Sequence, residues 1–298
     1  MLASMSTDAN SNTLSSEGKT EDVTNTSNGS NNSNGQTILK NVGYHTGKLK
    51  TIYLSITEYV NTHGMGMPCQ IFLGEPRFGK RGLITETDLE QTSKFLSATN
   101  THLFIHSFYC INLCKPETKK NPQDTKWALN LLMEDLKYAK ILGALGVVVH
   151  VGKSLTIPKK TALEKMIFNI KSCLSNASEE CPLLIETPAG QGTELCQTIE
   201  EFIDLYKVFT DEERKVFKVC LDTQHVFSCG YDPIEYLVKF TSVFGCESIR
   251  LIHLNDSAVQ CGKHADRHAF IGKGYIGLPK LLQCIEWATE HKVKMVIE

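Results

Sequence analysis

Short apolar runs recur along this 298-residue chain, and six of them end in a histidine, an aspartate or a glutamate. Apolar runs of this length, bounded by chain breakers, are typical of buried parallel strands. A buried charge is costly unless a partner or a metal offsets it, so six such ends in succession predict a shared polar site. The six terminal residues are His106, His150, Glu186, Asp222, His253 and Glu298.

Helical patterns alternate with these runs. Residues 124–142 carry apolar side chains at helical spacing, from Trp127 to Leu142, and Gly143 follows as a stop signal. Similar patterns cover 52–60, 86–96, 161–174, 195–208, 234–244 and 278–289, and further apolar runs lie at 42–45 and 70–73. Alternating strands and helices of this kind predict a parallel sheet.

Eight strand candidates in about 250 residues match the size of one (β/α)8 TIM barrel, an α/β fold, which we place at 37–298. The active site of such a barrel lies at the C-terminal ends of the strands, where the polar residues fall. A doubly wound open sheet is the alternative, but it would not bring six strand ends to one centre. The chain ends at Glu298, so we expect the final helix of the barrel to be lacking.

The composition restricts the class of protein. Residues 1–36 are rich in Ser, Asn, Thr and Gly, and we expect a disordered polar tail. No signal-peptide pattern and no membrane-length apolar stretch is visible, and the 11 cysteines lack metal-type pairing. These features predict an intracellular protein of the cytoplasm or nucleus, neither secreted nor membrane-bound, with reduced thiols. We expect a monomer.

Two local basic clusters lie in predicted loops on the side of the proposed site, although a net charge of −2 gives no global signature of nucleic-acid binding. Each cluster is either a phosphate-binding patch or an ordinary solvated surface, and the sequence leaves both interpretations open. The clusters consist of Arg77, Lys80 and Arg81, and of Lys263, Arg267 and Lys273.

A metal site is the chemistry that these residue types favour. Asp266 and His268 stand one residue apart in the loop that follows His253. Imidazole and carboxylate ligands together suit zinc and its borderline neighbours, and sets without cysteine fit hydrolytic metals better than structural zinc. Taken alone, this segment could also be a strand followed by a polar loop.

Laid in order, these segments resemble the endonuclease IV family of apurinic/apyrimidinic (AP) endonucleases from about residue 42 to residue 298. The resemblance rests on His106-Ser-Phe-Tyr-Cys-Ile-Asn-Leu113, Val148-Val-His-Val-Gly152, Ile185-Glu-Thr-Pro-Ala-Gly-Gln-Gly192, Leu221-Asp-Thr-Gln-His225 with Gly230-Tyr-Asp232, His253-Leu-Asn-Asp-Ser257, Asp266-Arg-His268 and Ile271-Gly-Lys-Gly-Tyr-Ile-Gly277. It implies an eight-stranded barrel with three zinc ions. It also implies hydrolysis of double-stranded DNA on the 5′ side of abasic sites, leaving a 3′-hydroxyl, and removal of 3′-blocking groups in base excision repair.

The resemblance also implies nine metal ligands. His106 and His150 resemble the ligands of one zinc, and Glu186 resembles the carboxylate that bridges it to a second. The remaining ligands are implied as Asp222, His253 and Glu298 for the second zinc, and His225, Asp266 and His268 for the third. Glu186 and Glu298 are the implied catalytic carboxylates, and manganese in place of zinc at one site stays open.

Three further residues match family positions that enter the DNA at the lesion: Arg77 after the second strand, and Tyr109 and Cys110 after the third. Cys110 departs from the larger aliphatic residue usual in the family.

Two rival functions stay open. One is a metal-dependent sugar isomerase or epimerase of the xylose-isomerase type, which would not need Asp266 and His268. The other is a barrel that binds DNA or metal without turnover.

Overall fold

A computed structural model describes residues 41–115 and 125–298, so the predicted tail at 1–36 lies outside the described residues. Within them the chain forms ten strands. These are β1 (Val42–Thr46), β2 (Pro68–Phe72), β3 (His102–His106), β4 (Val147–His150), β5 (Leu183–Glu186), β6 (Phe217–Asp222), β7 (Ile249–His253), β8 (Asp256–Ser257), β9 (His268–Ala269) and β10 (Lys294–Ile297).

Eight of these strands close into a parallel barrel in the order β1-β10-β7-β6-β5-β4-β3-β2, while β8 and β9 form a separate antiparallel pair. The barrel closes between the first and last strands, where Val42 is in register with Met295. The predicted TIM barrel is therefore confirmed. The open-sheet alternative is wrong, because the first and last strands pair with each other and no strand of the barrel is left at an edge.

Helices connect the barrel strands on the outside. They are α1 (Ile52–His63), α2 (Glu86–Thr99), α3 (Thr125–Leu142), α4 (Lys159–Cys173), α5 (Ile199–Lys207), α6 (Asp211–Val216), α7 (Thr223–Ser228), α8 (Pro233–Phe244) and α9 (Leu278–Glu290). None of the described helices is both long and apolar enough to span a membrane.

Side-chain caps decide where several of these helices begin. The Thr198 hydroxyl accepts a hydrogen bond from the Glu201 amide, so α5 begins at Ile199 and not at residue 195 as the apolar pattern predicted. The short helices α6 and α7 were not predicted, because six residues are too few to show a helical repeat. Asp222 caps α7 and thereby fixes the chain directly after β6.

The barrel interior contains a compact apolar layer. Six side chains, one from each of the neighbouring strands β3, β4, β5, β6, β7 and β10, fill it without solvent exposure, so the barrel has a packed interior and no pore. This layer separates the two ends of the barrel, so the polar residues at the C-terminal ends of the strands form a site of their own. The six residues are Phe104, Val148, Leu184, Cys220, Leu251 and Val296.

Arg81 is a structural residue and not part of an exposed basic patch. Its guanidinium contacts the carboxylates of Glu134 and Asp135 on α3, and its side chain is only 9% exposed. It also donates a hydrogen bond to the Leu131 carbonyl oxygen. The hypothesis that Arg81 binds phosphate is therefore wrong, because its charge is already paired and largely removed from solvent.

This ion pair gives a stability prediction. The Asp135 side chain is 1% exposed, and burial raises the pKa of its carboxyl to about 7 against the effect of Arg81. Above that pH, Asp135→Asn should lower the free energy of unfolding by about 3 kcal/mol, since it leaves Arg81 buried without its charge partner. Glu134→Gln is the matched control, because that side chain is 56% exposed and should contribute less than about 1 kcal/mol. Urea unfolding of both variants measures the difference. Equal losses would contradict the assignment.

Candidate metal centre

The C-terminal ends of the barrel strands bring the predicted residues together. His150 is in register with Glu186, and Asp222 is in register with His253, so these four side chains leave the barrel at matching levels. The described residues contain three groups whose candidate ligand atoms all lie within 4.8 Å of one another. The groups are His106, His150 and Glu186; Glu186, Asp222, His253 and Glu298; and Asp222, His225 and His268.

Glu186 connects the first two groups. Its Oε2 lies 3.3 Å from His106 Nε2 and 2.9 Å from His150 Nε2. Its Oε1 lies 2.9 Å from His253 Nδ1 and 3.5 Å from His225 Nδ1. The Glu186 side chain is 1% exposed, so this carboxylate is buried among four imidazoles and directs its two oxygens to different groups.

The surrounding charges keep the two glutamates ionised. Burial raises the pKa of Glu186, but the imidazoles of His150 and His253 outweigh it and hold that pKa well below its usual range. The pKa of Glu298 is likewise lowered against the effect of burial, chiefly by His253 and by a hydrogen bond to His45. Both carboxylates are therefore available as anionic ligands.

Three histidine rings are each held in orientation by a hydrogen bond at the ring nitrogen that faces away from the centre. His106 Nδ1 lies 2.7 Å from the Ser107 carbonyl oxygen, and His225 Nδ1 lies 2.8 Å from that of Thr187. His253 is held by the opposite nitrogen, because its Nε2 lies 2.9 Å from the side-chain oxygen of a glutamine in β2. Each ring thus keeps one nitrogen directed at the centre, which is how metal-ligating histidines are usually held.

The glutamine is Gln70, which the sequence analysis gave no role. Its Nε2 donates to Glu298 Oε1 at 2.7 Å and lies 2.9 Å from His45 Nδ1, while its Oε1 faces His253. Gln70 is fully buried in the middle of β2. An amide within an otherwise apolar strand was the available signal, because a buried amide needs hydrogen-bond partners.

Asn255 is a second positioning residue that received no role. Its side chain donates to Asp222 Oδ2 at 2.7 Å and accepts from the Glu298 backbone amide at 3.0 Å. The other Asp222 oxygen, Oδ1, accepts from the His225 amide at 2.8 Å. Asp222 therefore has one oxygen committed to the helix cap, and its position is set from two sides.

Asp266 and His268 approach the centre from the loop that contains β9. Asp266 Oδ1 lies 3.3 Å from His268 Nε2 and 3.5 Å from His225 Nε2. His268 Nε2 is buried and, among the described residues, has no partner in hydrogen-bonding geometry. Asp222 Oδ2 lies 3.9 Å from the same nitrogen, so Asp222 belongs to both the second and the third group.

The predicted DNA-contact residues lie in different environments. The Tyr109 side chain is half exposed, and its ring centroid lies 5.4 Å from that of His106 and 5.5 Å from that of His150. An open cavity of about 220 Å³ adjoins Tyr109, His150 and Asp266. Cys110 is half-buried against the hydrophobic core, and Arg77 is exposed in the loop after β2.

Known proteins are similar to this chain over most of its length. The family model described as xylose isomerase-like TIM barrel matches residues 65–297. A putative endonuclease 4 of Acanthamoeba polyphaga mimivirus is 30% identical over 274 residues, which cover 88% of this chain and 86% of that relative. A probable endonuclease 4 of Mycoplasmopsis agalactiae is 30% identical over 236 residues, covering 76% and 80% of the two chains.

A solved structure agrees with these relatives. The crystal structure of endonuclease IV from Thermus thermophilus superposes with a TM-score of 0.71 at 25% identity, covering 87% of this chain and 91% of the other. The barrel, the strand-end residues and the relatives over most of the chain lead to one conclusion. The chain belongs to the endonuclease IV family of xylose isomerase-like TIM barrels.

Proposed function

We propose that this chain is a metal-dependent AP endonuclease. It hydrolyses the phosphodiester on the 5′ side of abasic sites in double-stranded DNA, leaves a 3′-hydroxyl, and removes 3′-blocking groups in base excision repair. The observation that carries the proposal is the buried Glu186 carboxylate, whose two oxygens face two different groups of candidate ligands. The endonuclease names of the relatives support the same reaction class.

The donor set fits zinc. All nine candidate ligands are imidazoles or carboxylates, and no cysteine is among them. The buried Nε2 of His268, which has no hydrogen-bond partner among the described residues, is what a ligand nitrogen would leave in a structure without the ion. We assign the nine residues to three zinc ions, with manganese as an alternative at one of them.

The assignment of residues to ions follows the family resemblance, and the groups of candidate ligands support it except at the third group, which contains Asp222 and not Asp266. His106 and His150 would hold the first ion and share Glu186 with the second. The second would also use Asp222, His253 and Glu298, and the third would use His225, Asp266 and His268, with Asp222 near it.

The chain's own residues position the reactive groups. Divalent ions at such a centre supply Lewis-acid polarisation of a phosphodiester and a nucleophilic water at neutral pH. Gln70 and Asn255 hold Glu298 and Asp222 in place, so that their charges need no reorganisation when substrate arrives. The Tyr109 ring lies edge-on to the ring of His106 and beside that of His150.

DNA contact is assigned to the exposed loop residues. Arg77 is exposed after β2 and forms no ion pair within the described ranges, so its charge is available to contact phosphate or to enter the base stack. Tyr109, half exposed above the centre, supplies an aromatic surface at the lesion, with Cys110 beside it. An abasic nucleotide leaves the stack at low cost because its base is already lost.

The third group favours a nuclease over a sugar isomerase or epimerase. Sugar isomerases of this barrel type need one or two metals and a pair of proton-transferring groups. Here the third group consists of Asp222, His225 and His268. Asp266 adds a further carboxylate, 3.5 Å from His225 and 3.3 Å from His268. An additional cation there suits an anionic phosphodiester better than a neutral sugar.

An incision assay tests the reaction. A duplex with one abasic site should be cut on its 5′ side to leave a 3′-hydroxyl that a polymerase extends, and chelation of the metal should abolish cutting. The matched duplex without the lesion is the control. A covalent adduct trapped by borohydride, or an unsaturated aldehyde at the 3′ end, would instead identify a lyase.

Two substitutions separate chemistry from binding. Glu186→Gln should keep the fold and slow single-turnover cleavage by at least about 100-fold, since it removes the charge shared by two metal sites. Arg77→Ala should weaken binding and reduce the salt dependence of log K by about one unit, the loss of one phosphate contact. Lys137→Ala, on the exposed face of α3, is the charge control. Cleavage by Glu186→Gln at the parental rate would refute the bridging role.

A third substitution tests the positioning role of Gln70. Gln70→Met keeps the volume of the side chain but removes its bonds to His253 and Glu298, and should weaken zinc affinity by about 10- to 100-fold. Thr92→Val is the control, because Thr92 is equally buried but bonds only to the Asp88 carbonyl oxygen on α2. Competition with a chromogenic chelator measures both affinities. An unchanged affinity in Gln70→Met would show that Gln70 serves packing alone.

A further inference from the structure

The opposite end of the barrel contains a second polar feature, formed by Lys218, Arg250 and Lys294. These residues lie at or next to the first residue of three neighbouring strands, β6, β7 and β10. Lys218 precedes Cys220 by two residues, and Lys294 precedes Val296 by two, so both lysines lie on the interior face of the barrel. We call this cluster of three cations the basal basic pocket.

The basal basic pocket is an open cavity whose lining includes apolar side chains beside the charged ones. Its volume is about 380 Å³, within the range of small-molecule sites. The apolar layer of the barrel closes its inner end through Phe104. The other apolar wall residues are Leu145, Pro182, Ile249 and Val293.

The three cations have no carboxylate within ion-pair distance in the parts of the chain that the structure describes. Arg250 instead donates to two backbone carbonyl oxygens, those of Leu145 and Glu180, each at 3.1 Å. These bonds fix the guanidinium but leave its charge unneutralised.

Two acidic residues belong to the pocket lining, but both are exposed. Glu179 and Glu247 lie on its rim, whereas Lys218, Arg250 and Lys294 are half-buried. Two further lining lysines, Lys215 and Lys292, are exposed, and Lys215 is already paired with Glu212 at 2.7 Å. The interior of the pocket is therefore positive, and the carboxylates that act on Lys218, those of Glu247 and Glu179, are exposed and beyond ion-pair distance.

The pKa values agree with this crowding. Burial lowers the pKa of Lys218 and of Lys294. At the neighbouring end of β3, burial together with the charges of Lys294 and Arg250 lowers the pKa of His102. At Lys218 the charge of Arg250 also lowers the pKa, against the opposing charge of Glu247. Half-buried cations cost stability unless an anion neutralises them.

We propose that the basal basic pocket binds the phosphate group of a small anion, inorganic or carried by a nucleotide. Phosphate suits an arginine fork flanked by lysines, because the guanidinium offers paired donors and the ammonium groups add point charges. The apolar wall around Phe104 leaves room for an organic group attached to the phosphate. The site is separated from the metal centre by the apolar layer and does not depend on the proposed function.

Thermal unfolding of the metal-loaded protein tests the site with three probes: inorganic phosphate, pyrophosphate and deoxyadenosine monophosphate. At saturation at least one of them should raise the melting temperature by about 2 °C or more. The double variant Lys218→Met/Lys294→Met should lose this shift. In the absence of any probe it should melt about 2 °C higher than the parent, because two uncompensated cations have been removed.

Lys137→Met is the matched control, because Lys137 is exposed on α3 and outside the pocket; it should keep the full probe-induced shift. Phosphate that binds the metal centre stabilises parent, control and double variant alike, so the site is judged by the difference in melting-temperature shift between the variants.

A larger shift with the nucleotide than with pyrophosphate would assign the apolar wall to a base, and the reverse would assign an inorganic ligand. Equal shifts in parent and double variant, or no shift in the parent with any probe, would overturn the proposal. If the double variant fails to fold, Lys294→Met alone gives the same comparison.

AP-site incision provides an independent readout. The double variant should cut an abasic duplex at the parental rate, since neither lysine touches the metal centre. If the double variant loses the probe-induced shift but cuts normally, the result supports phosphate binding in the basal basic pocket. Normal shifts with failed incision in the parent would instead refute only the proposed nuclease.

Discussion

The buried carboxylate of Glu186 is the constraint around which the site is arranged. An ionised carboxylate inside a barrel costs several kcal/mol unless partners offset it. Here four imidazoles from four different elements surround it, and each can approach only because the barrel closes and brings β3, β4, β7 and α7 to one end. The fold and the charge arrangement therefore depend on one another, and a shift of one strand by one residue would point its ligand outward.

The apolar layer between the two barrel ends allows them to differ in charge. On its C-terminal side, carboxylates and imidazoles collect where cations would bind. On its N-terminal side, three half-buried cations collect, none of them in an ion pair with a carboxylate of the described residues. Six fully buried side chains separate the two regions, so their fields act across a medium of low dielectric and not through water. Residues near the strand beginnings and residues at the strand ends thus lie in different charge environments, although they belong to the same strands.

Much of this arrangement was predictable from the sequence, because parallel strands end at the same side of a barrel. The apolar runs indicated the strands, and their last residues indicated the positions of His106, Glu186 and Asp222. Gln70 and Asn255 were not predictable in the same way, since their roles depend on which side chains the closed barrel places opposite them. Both interpretations of Arg81 that the sequence left open, a phosphate-binding patch and a solvated surface, are wrong for the same reason: the burial of a loop arginine depends on the packing of α3 against it. Pairing between distant segments is a tertiary property that local patterns do not contain.

The central claim is that Glu186 is shared by two metal ions, and anomalous diffraction from crystals grown with zinc tests it most directly. The account predicts anomalous peaks on both sides of the Glu186 carboxylate, one near Oε2 with His106 and His150 and one near Oε1 with His253. Each peak should lie about 2.0–2.2 Å from its carboxylate oxygen. A single peak, or peaks that leave one Glu186 oxygen without a metal, would contradict the account.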